Sequence, residues 1–167
     1  MEAQQFKDAM SQLAAAVTIV TTGTEEAPHG TTVSAFMSLS LDPPMVLVSL
    51  DQRSSLLGQL TLGAPIGINV LSTEQGDLAR RFADKSVDRF EGVSYSLVDG
   101  APKLPCNHTW VAGNVDQLIA VGDHVLVVVD VEAAEVNSNQ PLLYWQREFG
   151  THGTIEPGEV RAQAVEP

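Results

Sequence analysis

Hydroxyl side chains crowd one short stretch of this chain: Thr31, Thr32, Ser34, Ser38 and Ser40 fall within ten residues. Successive side chains of a strand point to opposite faces, so these hydroxyls occupy both faces instead of one solvent face. They could hydrogen-bond the edge of a polar ligand or form a polar edge strand, and the residues alone leave both open. Ser54 and Ser55 precede the apolar stretch Leu56 to Leu60. Either serine can cap a helix there, and a first helical turn offers N–H groups and partial positive charge to a phosphate. A plain cap that binds nothing is the other reading. Arg53, Arg80, Arg81, Lys85 and Arg89 are five of the nine Lys and Arg residues, so cations able to serve an anionic ligand gather in the middle of the chain. The four histidines, His29, His108, His124 and His152, lack a paired-ligand spacing, and no metal site is expected. His124 differs in lying within Gly122-Asp123-His124, where a loop enters the strongest strand pattern of the chain.

These groups need a scaffold. A length of 167 residues with 44% apolar content suits a single folded domain, expected over 1–154 with a tail at 155–167. The net charge of −12 repels nucleic acid and anionic membrane surfaces, so neither is an expected partner. No apolar run has the length of a membrane span, and the start MEAQQFKDAM has neither a basic nor an apolar leader region. A cytoplasmic protein is expected. Cys106 is the only cysteine, which excludes an internal disulfide and suits a reducing compartment.

Phe6, Ala9, Met10, Leu13 and Ala14 recur at helical spacing and predict an amphipathic helix ending near Ala16. VTIVTT (17–22) and TTVSAFMSLSL (31–41) read as a hairpin, and MVLVSL (45–50) as a strand buried on both sides. APIGINVL (64–71) reads as another buried strand, followed by the capping-box spacing Ser72 to Gln75 and a helix whose inner face carries Leu78 and Phe82. Strands are expected again at VSYSLV (93–98), less firmly from Thr109 to Ala120, over 124–136 and at PLLYW (141–145). Strands at hairpin spacing with three short helices predict a mainly β barrel, not a doubly wound sheet. No GxGxxG, GxSxG, HExxH or Walker motif is present.

The ordered set VTIVTTG, GTTVSAFMSLSLDPPMVLVSL, Ser54-Ser55, INVLSTEQGDLARRFADKSVDRFEGV, GDH and PLLYW resembles the flavin reductase-like family, whose fold is a split β-barrel. Two stretches depart from that family's pattern, NHTWVAGNVDQLIA (107–120) and YWQREFG (144–150). The resemblance implies a Greek-key-type closed split barrel that binds FMN or FAD and uses NADH or NADPH as donor. It implies flavin-ring contacts from Thr31, Thr32, Val33, Ser34 and Ala35, with Ser34 near the reacting atoms. It places the ribityl chain and phosphate against Ser49, Leu50, Asp51, Gln52, Ser54 and Ser55, with Ala83, Asp84 and Lys85 as a second contact to the tail. His124 is implied as the catalytic, nicotinamide-side histidine, with Tyr144 and Arg147 as further nicotinamide contacts. A homodimer and a separate flavin-dependent oxygenase are the implied partners. A flavin-holding module without turnover, and a flavin-free hydrolase using Ser34 or Ser38 with His124, are the competing functions.

Overall fold

β-Branched runs separated by turn residues can pair in many orders, and burial selects among them. The computed structural model describes residues 1–153, so the tail expected at 155–167 lies outside the described residues. The chain begins with α1 (Ala3–Met10), β1 (Ala15–Ala16), β2 (Thr18–Gly23), β3 (Pro28–Val33), β4 (Phe36–Leu41) and β5 (Pro44–Asp51). Next come β6 (Pro65–Val70), α2 (Gly76–Ala83), β7 (Ser96–Val98) and β8 (Ala101–Lys103). The last elements are β9 (Thr109–Val121), β10 (His124–Val136), β11 (Leu143–Trp145) and β12 (Glu148–Gly150). No helix among the described residues is long and apolar enough to cross a membrane.

Seven strands form one antiparallel sheet in the order β3-β2-β6-β9-β10-β5-β4. Its end strands β3 and β4 are joined through only Ser34 and Ala35, so the sheet must curl until its two ends nearly meet. The expected single strand TTVSAFMSLSL is therefore two strands. The break has a local cause. β2 begins at Thr18, paired with Val33, and the buried Thr18 hydroxyl donates to the Val33 carbonyl at 2.7 Å. Two residues on, the Ala35 carbonyl accepts from Ser49 N of β5 at 2.9 Å.

The concave side holds Val20, Val46, Val48, Leu50, Ile66, Ile68, Val127 and Val129, all buried. β6 is buried on both faces, but β5 alternates, with Val46, Val48 and Leu50 inside and Met45, Leu47 and Ser49 half-buried. A second core joins Val17, Ile19, Leu71, Ala79, Phe82, Leu104 and Leu142, seating α2 behind the β2–β3 hairpin. Between the two lies a buried amide, Asn69, which donates to the Ile19 and Pro102 carbonyls and accepts from Leu104 N. That bonding anchors β8, which the prolines of this segment mask in the sequence.

Other expectations need correction. α1 stops at Met10, because Ala15 and Ala16 pair with Tyr144 and Leu143 of β11. The expected helix over 56–60 is a 3-10 turn of three residues, Leu57–Gln59, and neither Ser54 nor Ser55 caps it. The capping box at Ser72 and Gln75 is present, opening a short 3-10 turn that continues into α2. Only Ser96–Val98 of VSYSLV is strand, whereas the segment from Thr109 is a full strand of 13 residues.

Phe82 is fully buried at the joint between α2 and the hairpin and meets Phe90 edge-on at a centroid separation of 4.9 Å. Phe82→Ala is expected to cost about 3–5 kcal/mol, read from urea unfolding.

Candidate functional site

At the seam where the sheet curls onto itself lies a cavity of about 820 Å³. One wall is β3 with its link to β4, contributing Thr31, Thr32, Val33, Ser34 and Ala35. A second is the end of β5 and the turn after it, contributing Ser49, Leu50, Asp51, Arg53, Ser54 and Ser55. The end of α2 adds Ala83, and the segment after it adds Lys85, Val87, Asp88, Arg89 and Phe90. His124 closes the rim at the start of β10.

Thus twelve of the fourteen residues expected to hold the flavin face one cavity, together with His124. Gln52 and Asp84 do not line it. Gln52 turns toward the loop before His124, donating from its backbone N to the Asp123 carbonyl and from Nε2 to the Gly122 carbonyl. Asp84 instead accepts from the backbone N and hydroxyl of Ser86, which hold its carboxyl below the usual carboxylate range. Tyr144 and Arg147 are not among the lining residues. Tyr144 packs edge-on against Phe149, and Arg147 is paired with Asp8 of α1, so neither expected nicotinamide contact is brought to this cavity.

The hydroxyls differ in what they can offer. Thr32 Oγ1 already donates to the Ala79 carbonyl at 2.6 Å and serves to tie β3 to α2. Ser54 lines the cavity, and its buried Oγ has no hydrogen-bond partner among the described residues. Native interiors rarely leave such an atom unmatched, so it points to a ligand polar group. The charges differ likewise. Arg53 is folded onto Asp51, with Nη2 at 2.6 Å and Nε at 3.0 Å from its carboxylate and the backbone N at 2.7 Å. This guanidinium holds Asp51 far below the usual carboxylate range, with Lys85 a smaller influence. Arg89 donates to the Asp84 and Gly30 carbonyls, and burial pulls its pKa down from the usual arginine value. Lys85 is exposed at the cavity wall and makes no ion pair among the described residues.

His124 Nδ1 lies 2.8 Å from Asp123 Oδ1, an acceptor-only group, which requires the proton on Nδ1 and leaves Nε2 to face a ligand. The same contact lowers the pKa of Asp123. No cluster of His, Cys, Asp or Glu suited to a metal ion occurs among the described residues.

The hairpin residues Glu26 to Gly30, with Val87, Asp88 and Phe90, also line the cavity, beyond the residues expected from the sequence. Gly30 was the available signal, because glycine inside a strand marks close approach. A Cβ there would stand 2.8 Å from the Phe82 ring.

A family model described as flavin reductase like domain matches residues 10–153. An NADH:riboflavin 5'-phosphate oxidoreductase of Streptomyces pristinaespiralis is 34% identical over 160 residues, covering 92% of this chain and 90% of the relative. The reductase component of a 4-nitrophenol 4-monooxygenase/4-nitrocatechol 2-monooxygenase from Rhodococcus opacus is 31% identical, covering 90% of this chain and 81% of the relative. A solved Streptomyces globisporus NADH:FAD oxidoreductase, in complex with NAD and FAD fragments, superposes with a TM-score of 0.85 at 28% identity. That match covers 91% of this chain and 93% of the other.

Because Ser54 Oγ has no partner among the described residues, Ser54→Ala removes no hydrogen bond that they make. The ligand-free variant is expected to unfold in urea at the same midpoint as the parent or later. A loss above about 1 kcal/mol would mean that the hydroxyl has a partner within the protein.

Proposed function

Because the chain belongs to the flavin reductase like family, we propose that it is an NAD(P)H-dependent flavin reductase whose cavity at the β3–β4 seam takes FMN or FAD. The observation that carries this reading is the unmatched Ser54 hydroxyl within a cavity lined by the hydroxyl-rich strand. When bound, the flavin supplies the redox chemistry, taking a hydride from a reduced nicotinamide.

The chain's own residues then have positioning and electrostatic work. Ser34 and Ala35 lie where the chain has left one ladder and not yet joined the next, directly after Thr31 and Val33 on the edge strand β3, so polar groups there can meet the ring edge. Ser34 is exposed on the cavity and is the hydroxyl best placed to stabilise negative charge developing on reduction. Ser49, Ser54 and Ser55 serve the ribityl chain and phosphate, while Leu50 and Ala83 give apolar contact. Lys85 supplies the countercharge that a chain of net charge −12 otherwise lacks. Asp51 holds Arg53 in place. His124 presents Nε2 to the nicotinamide, the other ring nitrogen being occupied by Asp123.

The curled sheet is proposed to act as a closed split barrel, an arrangement favoured by the two-residue link and the bond from Ser49 N to the Ala35 carbonyl. A second copy of the chain is the proposed partner for its outer face. There Met37, Ile119 and Val121 are exposed on the same side as Asp51 and His124. Reduced flavin is proposed to serve a separate oxygenase, a role supported by the likeness to a monooxygenase reductase component.

Anaerobic absorbance of the protein with FMN or FAD tests the activity: protein-dependent bleaching of the flavin on adding NADH or NADPH is expected. Flavin that binds and stays yellow would instead indicate a holding module. His124→Ala is expected to reduce kcat/KM for the nicotinamide by about 10²-fold while flavin affinity stays near the parent value; unchanged kinetics would remove His124 from the site. Val121→Glu is expected to move the protein from dimer to monomer in sedimentation, and a parent protein already monomeric would refute the pairing.

A further inference from the structure

The segment from Asp84 to Glu91 forms one cavity wall through Lys85, Val87, Asp88, Arg89 and Phe90, yet it is neither helix nor strand. Its conformation is held by a side chain behind it. Arg81, on α2, donates from Nε to the Arg89 carbonyl at 3.0 Å and from Nη2 to the carbonyls of Asp88 at 2.8 Å and Glu91 at 2.6 Å. Arg81 itself is not a lining residue. From the front, Arg89 fastens the same segment to the Gly30 carbonyl of β3 at 2.8 Å and to the Asp84 carbonyl at 2.9 Å.

Two consequences follow from this clasp. The three carbonyls bonded to Arg81 are committed to a cation outside the cavity, so their negative ends are not available to repel an anionic ligand. The planar guanidinium fork also fixes the backbone at residues 88, 89 and 91 together, which a lysine ammonium cannot do with the same geometry. We propose that Arg81 is a positioning residue that sets flavin affinity by ordering the Lys85–Phe90 wall, without touching the flavin. This inference rests on the reading that the cavity takes flavin.

The experiment uses the full chain and its Arg81→Lys and Arg81→Gln variants. FMN affinity is taken from fluorescence titration, turnover from NADH oxidation at saturating FMN, and local order from amide hydrogen exchange. The expected result is an FMN Kd raised about tenfold in both variants. The kcat at saturation should stay within about twofold of the parent, and faster exchange should be confined to residues 84–91. An Arg81→Lys protein with parental FMN affinity and parental exchange in that segment overturns the inference. Faster exchange spread through β2, β6 and β9 also overturns it, since Arg81 would then support the fold as a whole. A parent protein that binds neither FMN nor FAD overturns the proposed function itself, an outcome separate from the behaviour of the variants.

Discussion

The structure depends on a covalent constraint: β3 and β4 lie at opposite ends of the sheet, yet only Ser34 and Ala35 separate them in the chain. A flat seven-stranded sheet would hold its end strands about 28 Å apart, six intervals of about 4.8 Å, far beyond the reach of a two-residue link. The sheet has to curl, and curling produces both the enclosed core and the seam. At the seam the ladders on either side are incomplete. Ser34 and Ala35 lie between the two ladders, and that is where the cavity opens.

The packing behind the seam serves the same end. α2 sits against the β2–β3 hairpin through Ala79 and Phe82, and the Thr32 hydroxyl bonds to the carbonyl of Ala79. Gly30 lets the strand approach the Phe82 ring closely enough for this contact. Phe82, Phe90 and Tyr95 then meet edge to face in series, and the Tyr95 hydroxyl donates to the Glu25 carbonyl in the hairpin turn. One aromatic series therefore joins the helix, the irregular segment after it and the hairpin, three pieces of the cavity's surroundings. Edge-to-face pairs of this kind contribute about 0.5–1.5 kcal/mol each beyond their burial.

Electrostatics within the cavity is a matter of which cations are already committed. Arg53 is spent on Asp51, and Arg81 and Arg89 are spent largely on backbone carbonyls. Lys85 alone of this group lines the cavity with neither an ion pair nor a side-chain hydrogen bond among the described residues. In a chain of net charge −12 such a selection matters, because long-range repulsion of a phosphate has to be offset locally. The five cations clustered in the sequence thus play different parts: Arg80 pairs with Asp77 on α2, Arg53, Arg81 and Arg89 hold the wall, and Lys85 stays uncommitted on it.

Much was legible in the chain itself. β-Branched runs and the capping box located β2, β6, β10 and α2, since these signals arise from neighbours in sequence and survive in the fold. Thr31, Ser34 and His124 of the GDH turn line the cavity, and their polar placement conflicts with a simple strand pattern. Resemblance supplied what local patterns lacked, the association of Ser49, Ser54, Ser55 and Lys85 with those residues. What tertiary structure alone decided were the pairings between distant segments. β1 exists only because Ala15 and Ala16 meet β11, and β8 pairs with β7 while Asn69 bonds its Pro102 carbonyl. Arg147, expected as a nicotinamide contact, pairs with the distant Asp8 of α1. The breaking of the hydroxyl strand at Ser34 follows from the Thr18 hydroxyl taking the Val33 carbonyl. Spacing along a chain reports which face a residue prefers; the partner that face meets is set by which distant groups satisfy buried hydrogen bonds and apolar surface together.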